Sequence, residues 1–151
     1  MDLLKKPLSL NLYDDNRRIY CRNAVKPPHY VSAGAKISNS LVPEGCEILG
    51  TVSRSVLFPG VYIGKGSRVT DSVIFPNARI GRNCIINKTL VCDNTVVEDG
   101  CEINNPAGEK ADCVEYVSEF CSGGISLIAS DVRIAEGSRI CPNSMVENNV
   151  G

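Results

Sequence analysis

The sequence predicts an all-β domain, a left-handed parallel β-helix of six-residue (hexapeptide) repeats behind an N-terminal connector. Three observations carry this. A 17-residue segment repeats three times without gaps, aliphatic residues recur at six-residue intervals, and a small residue follows most aliphatics by four positions. A period of six fits neither the 3.6-residue turn of an α-helix nor the plain alternation of a strand. It fits a coil of three short straight sides, each placing one aliphatic inside and turning where only a small side chain fits.

The repeat is plainest in residues 55–71 (SVLFPGVYIGKGSRVTD), 72–88 (SVIFPNARIGRNCIINK) and 89–105 (TLVCDNTVVEDGCEINN). Their aliphatics align as Leu57, Ile74 and Val91, then Ile63, Ile80 and Val97, then Val69, Ile86 and Ile103. The small residues are Val61, Ser67, Ala78, Cys84, Thr95 and Cys101. Each is preceded by Gly60, Gly66, Asn77, Asn83, Asn94 or Gly100, as Ser138 is by Gly137, residue types that accept positive φ at a corner. Downstream, Ile128, Ile134, Ile140 and Val146 keep a strict step of six. Upstream, Val31, Ile37, Val42, Ile48 and Val52 continue the pattern, but Val42 precedes Leu57 by 15 residues, so one side there is short. Each inward aliphatic contributes about 1.5 to 3 kcal/mol by burial.

Two segments leave the pattern. Residues 1–30 hold Leu8, Leu10 and Leu12 in alternation, then Arg17-Arg18-Ile19-Tyr20 and Pro27-Pro28, and read as a connector to a solenoid spanning 31–151. A loop at about 104–127, with Asn104-Asn105-Pro106-Ala107-Gly108, Tyr116 and Phe120, is expected to leave the coil and return near Gly123-Gly124.

Composition narrows the function. The 151 residues carry a net charge of −1 and only 5% aromatics, without the basic excess that nucleic acid or an anionic membrane surface attracts. No apolar run is long enough to cross a bilayer as a helix and no signal peptide is evident, so a cytoplasmic location is expected. None of the eight cysteines is spaced CxxC, which leaves a zinc site without sequence support and free thiols as the expectation. Cys46, Cys84 and Cys101 fall on the small corner position and Cys92 and Cys141 beside an inward aliphatic, which makes them packing residues. The same location would keep Asn87-Lys88-Thr89 from being glycosylated.

Catalytic chemistry is thinly represented. Acyltransferases on this architecture use a histidine base between subunits, and the one histidine here, His29, stands before the first coil. A zinc hydratase needs three histidines. Gly64-Lys65-Gly66-Ser67-Arg68 has the look of a phosphate loop but falls at a solenoid corner, with no helix behind it to aim its amides. Asp71, Asp99 and Asp131 read as solvated coil edges. The chain alone is expected to catalyse nothing.

Several stretches in order, Met1-Asp2-Leu3-Leu4, Leu10-Asn11-Leu12-Tyr13-Asp14, Arg18-Ile19-Tyr20, Asn39-Ser40-Leu41-Val42-Pro43-Glu44-Gly45-Cys46, Ser55-Val56-Leu57-Phe58-Pro59-Gly60-Val61, Asp71-Ser72-Val73-Ile74 and Gly123-Gly124-Ile125, together resemble one family. It is the C-terminal part of bacterial ADP-glucose pyrophosphorylase, a glucose-1-phosphate adenylyltransferase. The resemblance implies an N-terminal nucleotidyltransferase domain upstream of Met1. That domain, with magnesium, makes ADP-glucose and pyrophosphate from ATP and glucose 1-phosphate for glycogen biosynthesis. It also implies a solenoid that packs on that domain, helps build a homo- or hetero-oligomer and shares a pocket for an anionic effector. Arg17, Arg18 and Arg22 in the connector are the candidate anion contacts, because phosphate oxygens call for clustered guanidinium groups. Where plant relatives place an activator-binding lysine, this chain has Ser130, which leaves a noncatalytic regulatory subunit open. A stand-alone acyltransferase using His29 and a stand-alone binding solenoid are the alternatives.

Overall fold

The computed structural model describes residues 25–107, 113–116 and 121–151, together with Leu4, Asp14 and Asn16. The expected alternation at Leu8, Leu10 and Leu12, and Phe120 of the expected loop, lie outside these. The described chain is all-β, a parallel solenoid of about six turns consistent with the left-handed coil of hexapeptide repeats.

Three parallel sheets form its sides. Face I stacks Tyr30–Val31, Glu47–Ile48, Tyr62–Ile63, Arg79–Ile80, Val96–Val97 and Arg133–Ile134. Face II stacks Lys36–Ser38, Thr51–Ser53, Arg68–Thr70, Ile85–Asn87, Glu102–Ile103 and Arg139–Ile140. Face III stacks Val56–Leu57, Val73–Ile74, Thr89–Val91, Ser126–Ile128 and Met145–Val146.

The register puts like on like. Ile63 pairs with Ile80 and Ile80 with Val97 on face I, Val69 with Ile86 and Ile86 with Ile103 on face II, and Leu57 with Ile74 and Ile74 with Val91 on face III. These side chains are buried and form one continuous core column. The corner residues named from the sequence all take positive φ, from 54° at Asn83 to 81° at Gly60, and the small residues behind them are buried, except Ser138, which is half-buried.

A 17-residue turn is built of steps of six, six and five residues, because the corner from face II to face III is tighter than the other two. There a single left-handed residue makes the bend: Asn39, Arg54, Asp71 and Lys88 in successive turns. Behind it runs a column of buried hydroxyls. The Ser55, Ser72 and Thr89 backbone N–H groups donate to the side-chain oxygens of Ser40, Ser55 and Ser72, at 3.1 to 3.2 Å. The Ser55, Ser72 and Thr89 hydroxyls donate in turn to the carbonyls of Ser53, Thr70 and Asn87. Amides turned away from the sheet ladder thereby keep their bonds.

The short side lies between Ile48 and Val52, which pair with Ile63 and Val69 although only four residues separate them. Gly50 makes this possible: a Cβ there would stand 2.5 Å from the Ser67 carbonyl oxygen. In the first turn Val31 and Ile37, inward by pattern, are 39% and 37% exposed, since among the described residues no turn stacks beneath them.

The interruption behaves differently from a plain loop. Face III resumes at Ser126, earlier than the expected end at 127, because Ser126 is the buried corner residue in register with Thr89. Residues 113–116 lie across the far end of the solenoid, where Val114 bridges Ile140 and the Tyr116 carbonyl accepts from the Met145 amide at 3.0 Å. Val150 bridges Ile134 beside them. A segment that precedes the last turn in sequence thus caps it in space.

Cys113 and Cys141 form a disulfide that ties this cap down, which corrects the expectation of free thiols throughout. Their separation of 28 residues carried no motif, and only the crossover brings their Cα atoms to 5.2 Å. Cys46, Cys84 and Cys101 are buried and free, as their corner positions imply.

Candidate functional site

Faces I and II alternate as strands of a half-buried sheet do. Their outward residues are Glu47, Tyr62, Arg79, Val96 and Arg133 on one, and Lys36, Thr51, Arg68, Ile85, Glu102 and Arg139 on the other. Face III departs from this. Its inward residues are flanked on both sides by apolar ones: Val56 and Phe58, Val73 and Phe75, Leu90 and Cys92, Leu127 and Ala129, with Met145 in the last turn. Neighbours of an inward residue point outward, so one side of the prism is an apolar outer face.

Val56, Val73, Leu90, Leu127 and Met145 are in register along it, all half-buried, and Phe58 stacks on Phe75 with ring centroids 5.0 Å apart. At about 4.8 Å per turn the stripe runs about 20 Å. Contiguous outer apolar surface is a feature that protein-contact, membrane-contact and ligand-binding faces share. At its edge a hollow of about 400 Å³ opens between Val73, Leu90 and Ile125, rimmed by Asp71 and Lys88. Ile125 is 46% exposed there.

The rim is organised by charge. Arg54 donates to both carboxylate oxygens of Asp71, 2.7 Å each, and this hydrogen bonding holds the Asp71 carboxyl below the ordinary carboxylate range. Asp71 is therefore a bonded corner and not a merely solvated edge. Asp99 accepts from the Arg82 amide at 2.7 Å and Asp131 from the Asn94 side chain at 3.1 Å, so these edges are also internally bonded.

A second hollow, about 390 Å³ on face I, is lined by Tyr62, Arg79, Glu98 and Asp99. Its groups are engaged with one another or with neighbours: Arg79 lies over the Tyr62 ring at 4.8 Å, and Glu98 pairs with Arg133.

The other named residues fall as follows. Arg17, Arg18 and Arg22 lie outside the described residues. His29 is exposed just before the first strand. Gly64-Lys65-Gly66-Ser67-Arg68 is a solenoid corner, with the Ser67 amide donating to the Gly64 carbonyl. The Ser130 hydroxyl donates to Asp93 at 2.6 Å. The corner thiols are buried packing groups: the hydrogen bond between Cys84 and Cys101 splits the pair, lowering Cys84 to about 7 and, with burial, pushing Cys101 up, while burial also pushes Cys46 up. Among the described residues no three His, Cys, Asp or Glu side chains converge to hold a metal, and no helix is long and apolar enough to cross a membrane.

Sequence reasoning missed the outer apolar face, although its signal was present. The segments read VLF, VIF and LVC on this side, against YIG, RIG and VVE on face I.

Coil geometry, corner chemistry and stacked aliphatics define a hexapeptide-repeat β-solenoid presenting one apolar side. Residues 29–128 match the family model described as GlmU-like, C-terminal hexapeptide, and the chain belongs to that family. Among curated relatives, the glucose-1-phosphate adenylyltransferase of Clostridium botulinum strain Eklund 17B is 51% identical over 71 residues, 47% of this chain and 18% of the relative. That of Geobacillus stearothermophilus is 55% identical over 69 residues, 46% of this chain and 18% of the relative. That of Acetivibrio thermocellus is 45% identical over 71 residues, 47% and 17%. The matched stretch is thus under a fifth of these relatives' length and lies in their C-terminal part.

Proposed function

We propose that this chain is the C-terminal assembly and allosteric domain of a glucose-1-phosphate adenylyltransferase subunit. The full subunit would make ADP-glucose and pyrophosphate from ATP and glucose 1-phosphate for glycogen biosynthesis. The observation that carries the reading is the apolar outer side of face III, in a chain whose relatives by name are that enzyme and whose match covers under a fifth of them. A side of Val56, Val73, Leu90 and Leu127 gains free energy when a partner removes it from water. The N-terminal nucleotidyltransferase domain is that partner, and further subunits complete the oligomer.

Magnesium and the reacting phosphates belong to the N-terminal domain. The solenoid's part is to position that domain and to transmit an anionic effector's binding, with Arg17, Arg18 and Arg22 as the contacts. A noncatalytic regulatory subunit is the second reading, favoured by Ser130, whose hydroxyl is committed to Asp93 where plant relatives carry an activator lysine.

The test is to read the frame upstream of Met1 and assay the longer product for ADP-glucose formation. Turnover supports the catalytic reading, and a nucleotidyltransferase domain without turnover supports the regulatory one. Acyl-CoA turnover that His29→Ala abolishes would replace both with a stand-alone acyltransferase.

A further inference from the structure

We propose that the corner between faces I and II is a self-complementary electrostatic interface for a second copy of this chain, packed side by side and antiparallel. At this corner the residue two positions beyond the inward aliphatic is Lys65, Arg82, Asp99 and Glu136 in four successive turns, all exposed. Their backbones are stacked: the Asn83, Gly100 and Gly137 amides donate to the carbonyls of Lys65, Arg82 and Asp99 at 2.8 to 3.0 Å. One edge therefore carries two cations followed by two anions, spaced by about 4.8 Å per turn.

A two-fold axis crossing this edge between Arg82 and Asp99 sets Lys65 against the second copy's Glu136 and Arg82 against its Asp99. The same two contacts then form again by symmetry, as an isologous interface requires. Parallel packing in register would set like charge on like, so the pattern selects one orientation.

The flanks reinforce the polarity in the cationic half and are balanced in the anionic half. Arg68 and Arg79 border the cationic half, and Glu98 and Glu102 the anionic half, where Arg133 and Arg139 offset them. Among the described residues, no ion pair within the chain engages Lys65, Arg82, Asp99 or Glu136. The apex itself is Gly66, Asn83, Gly100 and Gly137, all with positive φ, which keeps the edge free of bulk. In a three-sided cross-section this corner is opposite face III, so a second copy here leaves the apolar side to its own partner.

An edge contact is small, so its charges set orientation and salt dependence more than affinity. The experiment uses the 151-residue chain in sedimentation at about 0.01 M and about 1 M salt, where the screening length falls from about 30 Å to about 3 Å. The wild type should lose an associating component at high salt. An all-acidic edge (Lys65→Glu with Arg82→Glu) and an all-basic edge (Asp99→Lys with Glu136→Lys) should each fail to self-associate, while fluorescently labelled acidic variant should bind the basic one at least about tenfold tighter than itself. Because Asp99 also accepts the Arg82 amide, Asp99→Asn with Glu136→Gln removes the charge and keeps an acceptor. That pair should lose the salt-sensitive association with an unchanged thermal midpoint. Salt-independent association in all forms, or no preference of the acidic variant for the basic one, overturns the proposal.

Discussion

Replacing Ile80 by alanine tests whether the inward column carries the stability. Ile80 is fully buried, in register between Ile63 and Val97. Losing three carbons removes about 2.4 kcal/mol of transfer free energy at about 0.8 kcal/mol per methylene. The neighbouring turns are held at fixed spacing by the backbone ladder and cannot close over the gap, so a cavity cost adds to this and the total reaches about 3 to 4 kcal/mol. Arg79 is the internal control, one residue earlier on the same strand but exposed. Its contact with the Tyr62 ring is worth about 0.5 to 1 kcal/mol at an exposed site, which bounds the cost of Arg79→Ala. Equilibrium urea unfolding followed by circular dichroism compares the two. Equal losses, or a larger loss at Arg79, would refute an inward Ile80.

The Arg54 hydrogen bonds lower the Asp71 pKa, so their stabilisation is full above the ordinary carboxylate range and lost as pH falls through the lowered value. Asp71→Asn should thus flatten the thermal midpoint below about pH 4 and lower it only slightly at pH 7, since solvent around the exposed Arg54 screens the pair. Cys92 and Cys121 should react with iodoacetamide in the native state well before Cys46, Cys84 and Cys101, as mass spectrometry of timed samples would show; equal rates would contradict their burial. Cys141→Ser should cost about 2 to 4 kcal/mol and raise amide exchange at Val114 and Met145, where the cap is bonded. An unchanged exchange pattern would mean that the disulfide does not hold the cap.

The core columns were legible because a side chain that must lie on its copy one turn away leaves a period in the chain. The corner glycines and asparagines were legible for the same reason, positive φ admitting few other residues. What escaped were features in which the period is broken or doubled. Residues 113–116 cap a turn that follows them in sequence, so no local pattern announces Val114 beside Ile140 or Cys113 beside Cys141. The Ser55, Ser72 and Thr89 column follows a step of five and stood outside the six-residue frame. The apolar side of face III was written as three consecutive apolar residues per turn, a run that reads as core until the coil shows that only the middle one points inward.

Binding of this chain to the isolated nucleotidyltransferase domain of the Clostridium botulinum relative, cut before its own solenoid, addresses the central claim most directly by calorimetric titration. The wild type is predicted to bind, and Leu90→Asp, which sets a carboxylate in the middle of the apolar side, to weaken binding at least about tenfold, about 1.4 kcal/mol, with the solenoid still folded. Equal binding by the two chains, or none by the wild type, would contradict it.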